Sequence, residues 1–130
     1  MKNKIKKRVS DLQTQLGVLL SKEPETIICA VERYRKLFKC NRVKSDGIYM
    51  VSKPNDKDTM IYIGRTITAK QGLKQRLSNH LQKQALGRYR AKKKDVAKYL
   101  VRVCEESDCT ARRDFETFAI GVLSPKFNIG

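Results

Sequence analysis

Two short strings of glycine, isoleucine and tyrosine constrain the fold of this 130-residue chain more than any other feature. They are Gly47-Ile48-Tyr49 and Tyr62-Ile63-Gly64. Isoleucine and tyrosine favour strands, and the polar segment 53–58 between the strings holds the proline, asparagine and aspartates that favour chain reversal. The pattern therefore predicts an antiparallel hairpin of two strands, 47–52 and 59–64, each of which presents one phenol.

Residues 1–45 show the spacing of two helices. Apolar side chains recur every three or four positions, which gives each helix one apolar face, and Pro24 favours the first turn of the second helix. The predicted faces consist of Ile5, Val9, Leu12, Leu16 and Leu19 in the first helix and Ile28, Val31, Tyr34 and Phe38 in the second. We expect this segment to be an N-terminal helical extension of a domain that covers residues 46–130.

The remaining elements predict a mixed fold. Residues 71–85 and 109–123 have helical spacing, and the β-branched and aromatic segment 96–104 predicts a third strand. Ser107 or Asp108 would cap the last helix, whose predicted buried residues are Phe115, Phe118, Ala119 and Val122. We expect an α/β chain of the α+β type, in which helices flank a small three-stranded sheet, mixed or antiparallel.

The net charge of +16 points to a polyanionic partner. A small domain typically carries a net charge of magnitude about 2–8, and each phosphate that a cation neutralises releases counterions. Nucleic acid is therefore the first partner expected. We predict a surface that follows the DNA backbone, made of Lys83, Arg88, Arg90, Lys92, Lys93, Lys94, Lys98 and Arg102. The other interpretation of these residues is a solvated lysine patch.

The cysteines and the hydropathy give expectations about location. Cys29, Cys40, Cys104 and Cys109 lack the Cys-x-x-Cys spacing of zinc sites, so we interpret them as reduced thiols. No apolar run approaches the roughly 20 residues that span a bilayer. The basic N-terminus is not followed by the apolar core of a signal peptide. These features predict an intracellular protein, in the cytoplasm or wherever its DNA lies, without a membrane or small-molecule cofactor.

Further side chains with reactive chemistry follow the hairpin. Arg76 and His80 are four residues apart, so one helix face carries both, and Glu116 falls in the last predicted helix. A guanidinium binds two phosphate oxygens, and an imidazole titrates near neutrality in water. A carboxylate holds divalent cations. A phenol would act as a base near pH 7 only if its pKa fell from about 10 by roughly 3 units. Each of these helix residues, taken alone, is more often an ordinary surface side chain.

Taken in order, these residues resemble the GIY-YIG nuclease superfamily over residues 46–130. The resemblance rests on the two strings, on Arg76, His80 and Glu116, and on Asn128, which follows Glu116 by twelve residues. It implies the GIY-YIG fold and hydrolysis of DNA by a one-metal mechanism, with one Mg²⁺ or Mn²⁺ ion held by Glu116. A water activated by tyrosine or histidine would attack the phosphorus. Histidine at position 80, where some members carry tyrosine, resembles the restriction-endonuclease branch more than the DNA-repair branch.

The resemblance also assigns site residues. It implies catalytic roles for Tyr49, Tyr62, Arg76, His80 and Glu116 in a pocket on one side of the sheet, with Asn128 orienting backbone or the pocket. Gly47 and Gly64 are structural positions of the motif, and Gly64 would allow a close backbone approach. Arg65 joins the predicted DNA-binding surface.

Several alternatives stay open at this point. The chain could be a non-catalytic or partner-dependent nucleic-acid binding module of the same fold, or a basic protein associated with RNA. The N-terminal extension could pack on the core, pair with a second subunit in a homodimer, or serve as a DNA arm. The sequence favours neither duplex nor branched DNA.

Overall fold

The computed structural model describes residues 2–41, 45–67, 71–80 and 96–128. Within these ranges the elements are α1 (Lys2–Ser21), β1 (Glu25–Thr26), α2 (Ile27–Asn41), β2 (Gly47–Lys53), β3 (Asp56–Arg65), α3 (Leu73–Asn79), β4 (Leu100–Glu105), α4 (Cys109–Leu123) and a 3₁₀ helix (Lys126–Asn128). The α+β class and the flanking helices are confirmed. The end of α3 that was predicted beyond residue 80 lies outside the described residues.

The sheet has four strands in the order β1-β4-β2-β3, where three strands were predicted. Every pairing is antiparallel. The additional strand, β1, is short: Glu25 pairs with Val101 and Thr26 with Leu100. The sequence placed these two residues in the first turn of a helix after Pro24. Pairing with β4 outweighs the local preference, and α2 begins directly afterwards at Ile27.

The hairpin is confirmed, with a tighter turn than predicted. Strand β2 ends at Lys53 and β3 starts at Asp56, so Pro54 and Asn55 alone connect them. The pairing shifts between Val51 and Lys53, which marks a bulge. Beyond the bulge the register is regular and sets Tyr49 opposite Gly64 and Val51 opposite Tyr62. Both tyrosines therefore project from one face of the sheet.

The sheet separates two apolar clusters. On the face of Tyr49 and Val51, helices α2 and α3 contribute Ile27, Ala30, Val31, Tyr34, Leu73 and Leu77. On the face of Ile48 and Met50, helices α1 and α4 contribute Leu12, Leu16, Leu19, Phe115 and Ala119. Residues of the predicted N-terminal extension thus contribute to both clusters.

Some predicted boundaries and faces were wrong. Strand β4 begins at Leu100 rather than 96, because residues 97–99 turn before the sheet pairing starts. Ile28 is 45% exposed and Val122 is 57% exposed, although both were predicted to be buried. In α2 the neighbouring Ile27 occupies the core instead, because the helix begins with Ile27 packed beside β1. The predicted cap of α4 is confirmed as Asp108, whose carboxylate accepts from the backbone N–H of Ala111.

Arg102 was predicted to lie on the DNA-binding surface, and that prediction was wrong. Its side chain is buried, with 3% exposure. The guanidinium donates to the backbone carbonyls of Lys22, just after α1, and of Lys57 in the hairpin, and to Ser52 Oγ. Because the even-numbered residues of β4 face α1, position 102 points into the molecule and ties α1 to the hairpin.

Candidate active site

Tyr49 lies across the neighbouring strand at Gly64. The two residues are paired in the β2–β3 register, and the side chain of Tyr49 is fully buried. A Cβ at position 64 would overlap the hydroxyl and ring of Tyr49. A Cβ at Gly47 would overlap the carbonyl oxygen of Cys104 on β4. The two motif glycines are therefore required by close approaches: one to a phenol and one to the neighbouring backbone.

Tyr49, Tyr62 and His80 form an aromatic cluster on the α3 side of the sheet. Tyr49 Oη and His80 Nε2 are 2.7 Å apart in a buried hydrogen bond. The ring centroid of His80 is 5.4 Å from that of Tyr49 and 5.2 Å from that of Tyr62, both in edge-to-face geometry. Since His80 directly follows the last residue of α3, packing of Leu73 and Leu77 against the core fixes the position of the imidazole.

Burial keeps the Tyr49–His80 pair neutral. Burial raises the pKa of Tyr49 well above its ordinary value, and the neighbouring Tyr62 raises that pKa further. Burial and, next, the charge of Arg76 lower the pKa of His80 to about 3. The sequence suggested an imidazole that titrates near neutrality and a phenol whose pKa is lowered. The structure differs on both points, because desolvation disfavours the charged form of each group.

Arg76 links the cluster to the carboxylate. It lies on α3, and its positive charge lowers the pKa values of both His80 and Glu116. The same charge acts to lower the pKa of Tyr49, against the larger effect of burial. The charge of Arg76 therefore acts on all three groups of the site.

Glu116 is held by Arg65. Arg65 Nε donates to Glu116 Oε1 at 3.1 Å, and each side chain is 20% exposed. Burial raises the pKa of Glu116, whereas the charges of Arg65 and Arg76 oppose that change. The structure thus places Arg65, which was predicted to contact DNA, in an ion pair with the carboxylate that was predicted to hold a metal.

The site spans an edge of the sheet rather than occupying one face. Glu116 follows Phe115 on α4, and that helix packs on the face opposite to Tyr49. Strand β3 is one of the two edge strands, and Arg65, at its last position, bonds to Glu116. The negative charge of Glu116 also raises the pKa of Tyr49. The carboxylate therefore lies at the end of β3, where its charge acts on Tyr49.

Asn128 binds the backbone of β3 at the same edge of the sheet. Its Oδ1 accepts from the backbone N–H of Ile63 at 2.8 Å, and its Nδ2 donates to the carbonyl of Ile63 at 2.8 Å. The amide therefore pairs with β3 as a neighbouring strand would, at the residue between Tyr62 and Gly64. This contact positions backbone and brings no amide group to the imidazole.

A buried network that the sequence did not predict supports the start of β2. Thr66 Oγ1 accepts from the N–H of Gly47 and donates to Asp46 Oδ1 at 2.8 Å. Arg112 donates to the carbonyl of Thr66 and lies 3.8 Å from Asp46. These side chains join the entry of β2 to the exit of β3 and the start of α4. In the sequence, Thr66, Asp46 and Arg112 resemble ordinary surface residues, so no pattern predicted this network.

The described residues contain no group of three or more His, Cys, Asp or Glu side chains that could enclose a metal. A site for a divalent cation would therefore depend on Glu116, with phosphate and water oxygens as the remaining ligands. Magnesium binds in this way, through one or two carboxylates, waters and substrate phosphates. Among the hydrogen bonds of the described residues, none involves Glu116 Oε2, so the donor set fits one such ion.

The six basic residues predicted between positions 83 and 94 lie outside the described residues. They are Lys83, Arg88, Arg90, Lys92, Lys93 and Lys94, and their DNA-binding role stays a prediction. Lys98 is exposed. Over the part of the chain that the structure describes, no helix is both long and apolar enough to cross a bilayer.

An α+β fold with two tyrosines, an arginine, a histidine and a glutamate at one edge of its sheet defines a nuclease-like domain. Residues 45–128 match the model of the GIY-YIG catalytic domain. The chain belongs to the GIY-YIG family. This is a family of nucleases that act on DNA and generally use divalent metal ions. Comparison with curated proteins and with solved structures found no match.

Proposed function

We propose that the chain is a metal-dependent DNA endonuclease that hydrolyses phosphodiester bonds at this site. The observation that carries the proposal is the buried hydrogen bond of 2.7 Å between Tyr49 Oη and His80 Nε2, close to the charge of Arg76. A neutral imidazole bonded to a phenol beside a guanidinium is suited to moving a proton next to a phosphate.

The proton leaves the attacking water through Tyr49. As the water oxygen forms a bond to phosphorus, Tyr49 Oη takes the water proton and passes its own hydroxyl proton to His80 Nε2. The bond from phosphorus to the leaving sugar oxygen breaks, and that oxygen takes a proton from solvent. His80 releases its extra proton to solvent when the product leaves, which restores the neutral imidazole. Tyr49 is neutral before and after this transfer, so its high pKa does not oppose the relay. Tyr62, whose ring lies beside both groups, lines the same path.

Substrate binding prepares His80 to accept the proton. A pKa of about 3 makes the imidazole a weak base in the absence of DNA, partly because Arg76 lies nearby. A bound phosphodiester brings a negative charge to Arg76, which offsets the positive charge near the imidazole and raises its pKa. His80 therefore becomes a stronger base when a phosphate occupies the site.

Arg76 and Glu116 have separate roles, one toward the phosphate and one toward the metal ion. Arg76 stabilises the negative charge that grows on the phosphate oxygens during attack. Glu116 would hold one Mg²⁺ or Mn²⁺ ion, which supplies Lewis acidity toward the phosphate when bound. With a single such site, each active site cuts one strand.

The first test replaces the carboxylate by its amide. Glu116→Gln keeps the size of the side chain and removes its charge, so we expect nicking of supercoiled plasmid in Mg²⁺ to fall at least about 10³-fold while DNA binding persists. Glu23→Gln is the matched control, because Glu23 is an exposed carboxylate that pairs with Lys57 of the hairpin. Nicking by Glu116→Gln at the wild-type rate would refute the assignment.

One observation favours a second function. Arg65 engages Glu116, the one carboxylate that the described residues bring to the site, and such a pair also suits a binding module that has lost its chemistry. Wild-type protein that binds duplex DNA yet leaves plasmid intact in both Mg²⁺ and Mn²⁺ would support this alternative. Cleavage in either metal that stops on chelation would reject it.

A further inference from the structure

The first two turns of α1 carry positive charge that the helix itself disfavours. Lys2, Lys4, Lys6, Lys7 and Arg8 fall within eight residues, and the first turn has no acidic residue. The N-terminus is the positive end of the helix macrodipole, so cations there are unfavourable. Like charges one turn apart also repel. An anionic partner against this end of α1 would relieve both effects.

The two halves of α1 have different surroundings. Leu12, Leu16 and Leu19 of the second half are buried between the sheet and α4. Lys4, Lys6, Lys7 and Arg8 of the first half are all exposed. Lys4 and Lys7 make no ion pair within the described part of the chain. The second half anchors the helix, and the first half extends from it as a charged segment.

This charged segment contacts α4, the helix that carries Glu116 of the candidate active site. Arg8 contacts Asp114 of α4, with 3.5 Å between the guanidinium and the carboxylate. Lys4 is one turn before Arg8 and lies on the same side of α1. Asp114 and Glu116 are two residues apart and so point to opposite flanks of α4. The head group of Arg8 and the carboxylate of Glu116 therefore lie on opposite flanks of α4, about one helix diameter apart, roughly 10–12 Å.

We infer that residues 4–8 form a basic arm that binds phosphates of the DNA duplex held at the active site. This inference rests on the proposed function, because it takes DNA as the ligand. The arm lies outside residues 45–128, which match the family model. Duplex DNA carries one charge about every 1.7 Å along its axis, so several phosphates lie within reach of a segment of this length.

The structure favours DNA over two other occupants. A helix that lies on a membrane needs an exposed apolar face, but Leu12, Leu16 and Leu19 are buried. Val9, at 40% exposure, is the one exposed large apolar side chain among the described residues of the first half. A second copy of the chain would bring the same positive charges together, which is repulsive.

The test measures how salt affects DNA binding in the presence of a chelator, so that cleavage plays no part. Fluorescence anisotropy with a duplex of about 25 base pairs gives the binding constant over a range of KCl concentrations. The variant Lys4→Gln/Lys7→Gln removes two charges from the arm. We expect its slope of log K against log salt to be shallower than the wild-type slope by about 1.8, at roughly 0.9 per lost phosphate contact. Affinity should fall at least about tenfold at 0.1 M salt.

Two matched variants control the test. Lys53→Gln/Lys57→Gln removes two exposed lysines at the turn of the hairpin and should keep the wild-type slope. Lys4→Arg/Lys7→Arg preserves the arm charges and should also keep it. Equal slope changes for the arm and hairpin variants would overturn the inference. So would tighter arm-dependent binding to vesicles of anionic lipid than to duplex.

The outcomes separate the arm from the nuclease proposal. A wild-type protein that fails to cleave yet shows the arm-specific slope supports the arm and contradicts the proposed activity. A wild-type protein that cleaves, with an arm variant that binds as the wild type does, supports the activity and overturns the arm.

Discussion

Two polar pairs at the edge of the sheet differ in how far they are desolvated. Tyr49 and His80 are buried, neutral and joined by a hydrogen bond of 2.7 Å. Arg65 and Glu116 are each 20% exposed, charged and joined at 3.1 Å. Strand β2 and the end of α3 hold the first pair inside the protein, whereas the second pair lies at the end of β3 beside solvent.

The difference in desolvation suits the two pairs to different roles. A neutral buried pair can pass a proton without creating an isolated charge in its resting state. A charged pair that touches solvent can exchange partners at a smaller cost than a fully buried pair, since solvent still screens part of its charge. We therefore expect changes to the Tyr49–His80 pair to have large effects, and changes to the Arg65–Glu116 ion pair to have small effects on stability.

The largest expected effect comes from Tyr49→Phe. The change removes the hydroxyl that we propose to relay the proton, so the rate of plasmid nicking should fall about 10²–10³-fold. It also leaves His80 Nε2 buried without this partner, which should lower the free energy of unfolding by about 1–3 kcal/mol.

Tyr34→Phe is the matched control for that loss of a buried hydroxyl. Tyr34 is buried on the same face of the sheet and donates to Glu105 at 3.0 Å, away from the aromatic cluster. It should lose less stability, because Glu105 is exposed and can bond to water instead, and it should keep the wild-type nicking rate. Equal activity losses in both variants would show that the Tyr49 hydroxyl acts only through stability.

Gly64→Ala tests the packing of the buried pair from the neighbouring strand. A Cβ would overlap the phenol of Tyr49, so urea denaturation should show a loss of about 2–3 kcal/mol. Gly121→Ala in α4 meets nothing within 4 Å and should stabilise the helix by about 0.5–1 kcal/mol. An unchanged urea midpoint for Gly64→Ala would contradict the close approach of Tyr49.

The hairpin and the last helix were predictable because their signals are local. Isoleucines and tyrosines on either side of a polar turn defined β2 and β3, and Ser107 or Asp108 marked the start of α4. The two-residue strand β1 was not predictable, because it forms through pairing with β4, far away in the chain. The same applies to Arg102, whose buried partners are backbone carbonyls that belong to no sequence motif.

The candidate site shows the same limit. The tyrosines, arginine, histidine and glutamate were assigned to one site, because their order along the chain resembles that of the GIY-YIG family. The sequence did not reveal that Glu116 approaches around the edge strand or that Asn128 pairs with Ile63. Nor did it reveal the low pKa of His80, because that value depends on burial and on the distance to Arg76.

The two pairs should also respond to pH in opposite directions. The pKa of His80 is lowered to about 3 from its usual 6.5, so the unfolded chain binds more protons between these values. Stability should fall as pH drops through this window, by up to about 1.4 kcal/mol per pH unit. The pKa of Glu116 is raised from 4.5, so its contribution is present at lower pH and is lost as pH rises through the folded pKa.

Urea midpoints from pH 3 to pH 8 measure both effects. His80→Gln keeps a polar side chain and removes the titrating imidazole. The difference in urea midpoint between wild type and variant should therefore narrow as pH falls below 6.5. Curves that run parallel across this range would contradict a neutral, buried imidazole at position 80.

The smallest expected effect comes from Arg65→Gln, which breaks the charged pair. Because both side chains are partly exposed, the free energy of unfolding should change by less than about 1 kcal/mol. Arg65 Nε donates to Glu116 Oε1 and so competes with a cation for the same carboxylate. The Mg²⁺ concentration for half-maximal nicking should therefore fall in Arg65→Gln. A rise in that concentration, with stability unchanged, would show that Arg65 orients Glu116 for the metal and does not compete with it.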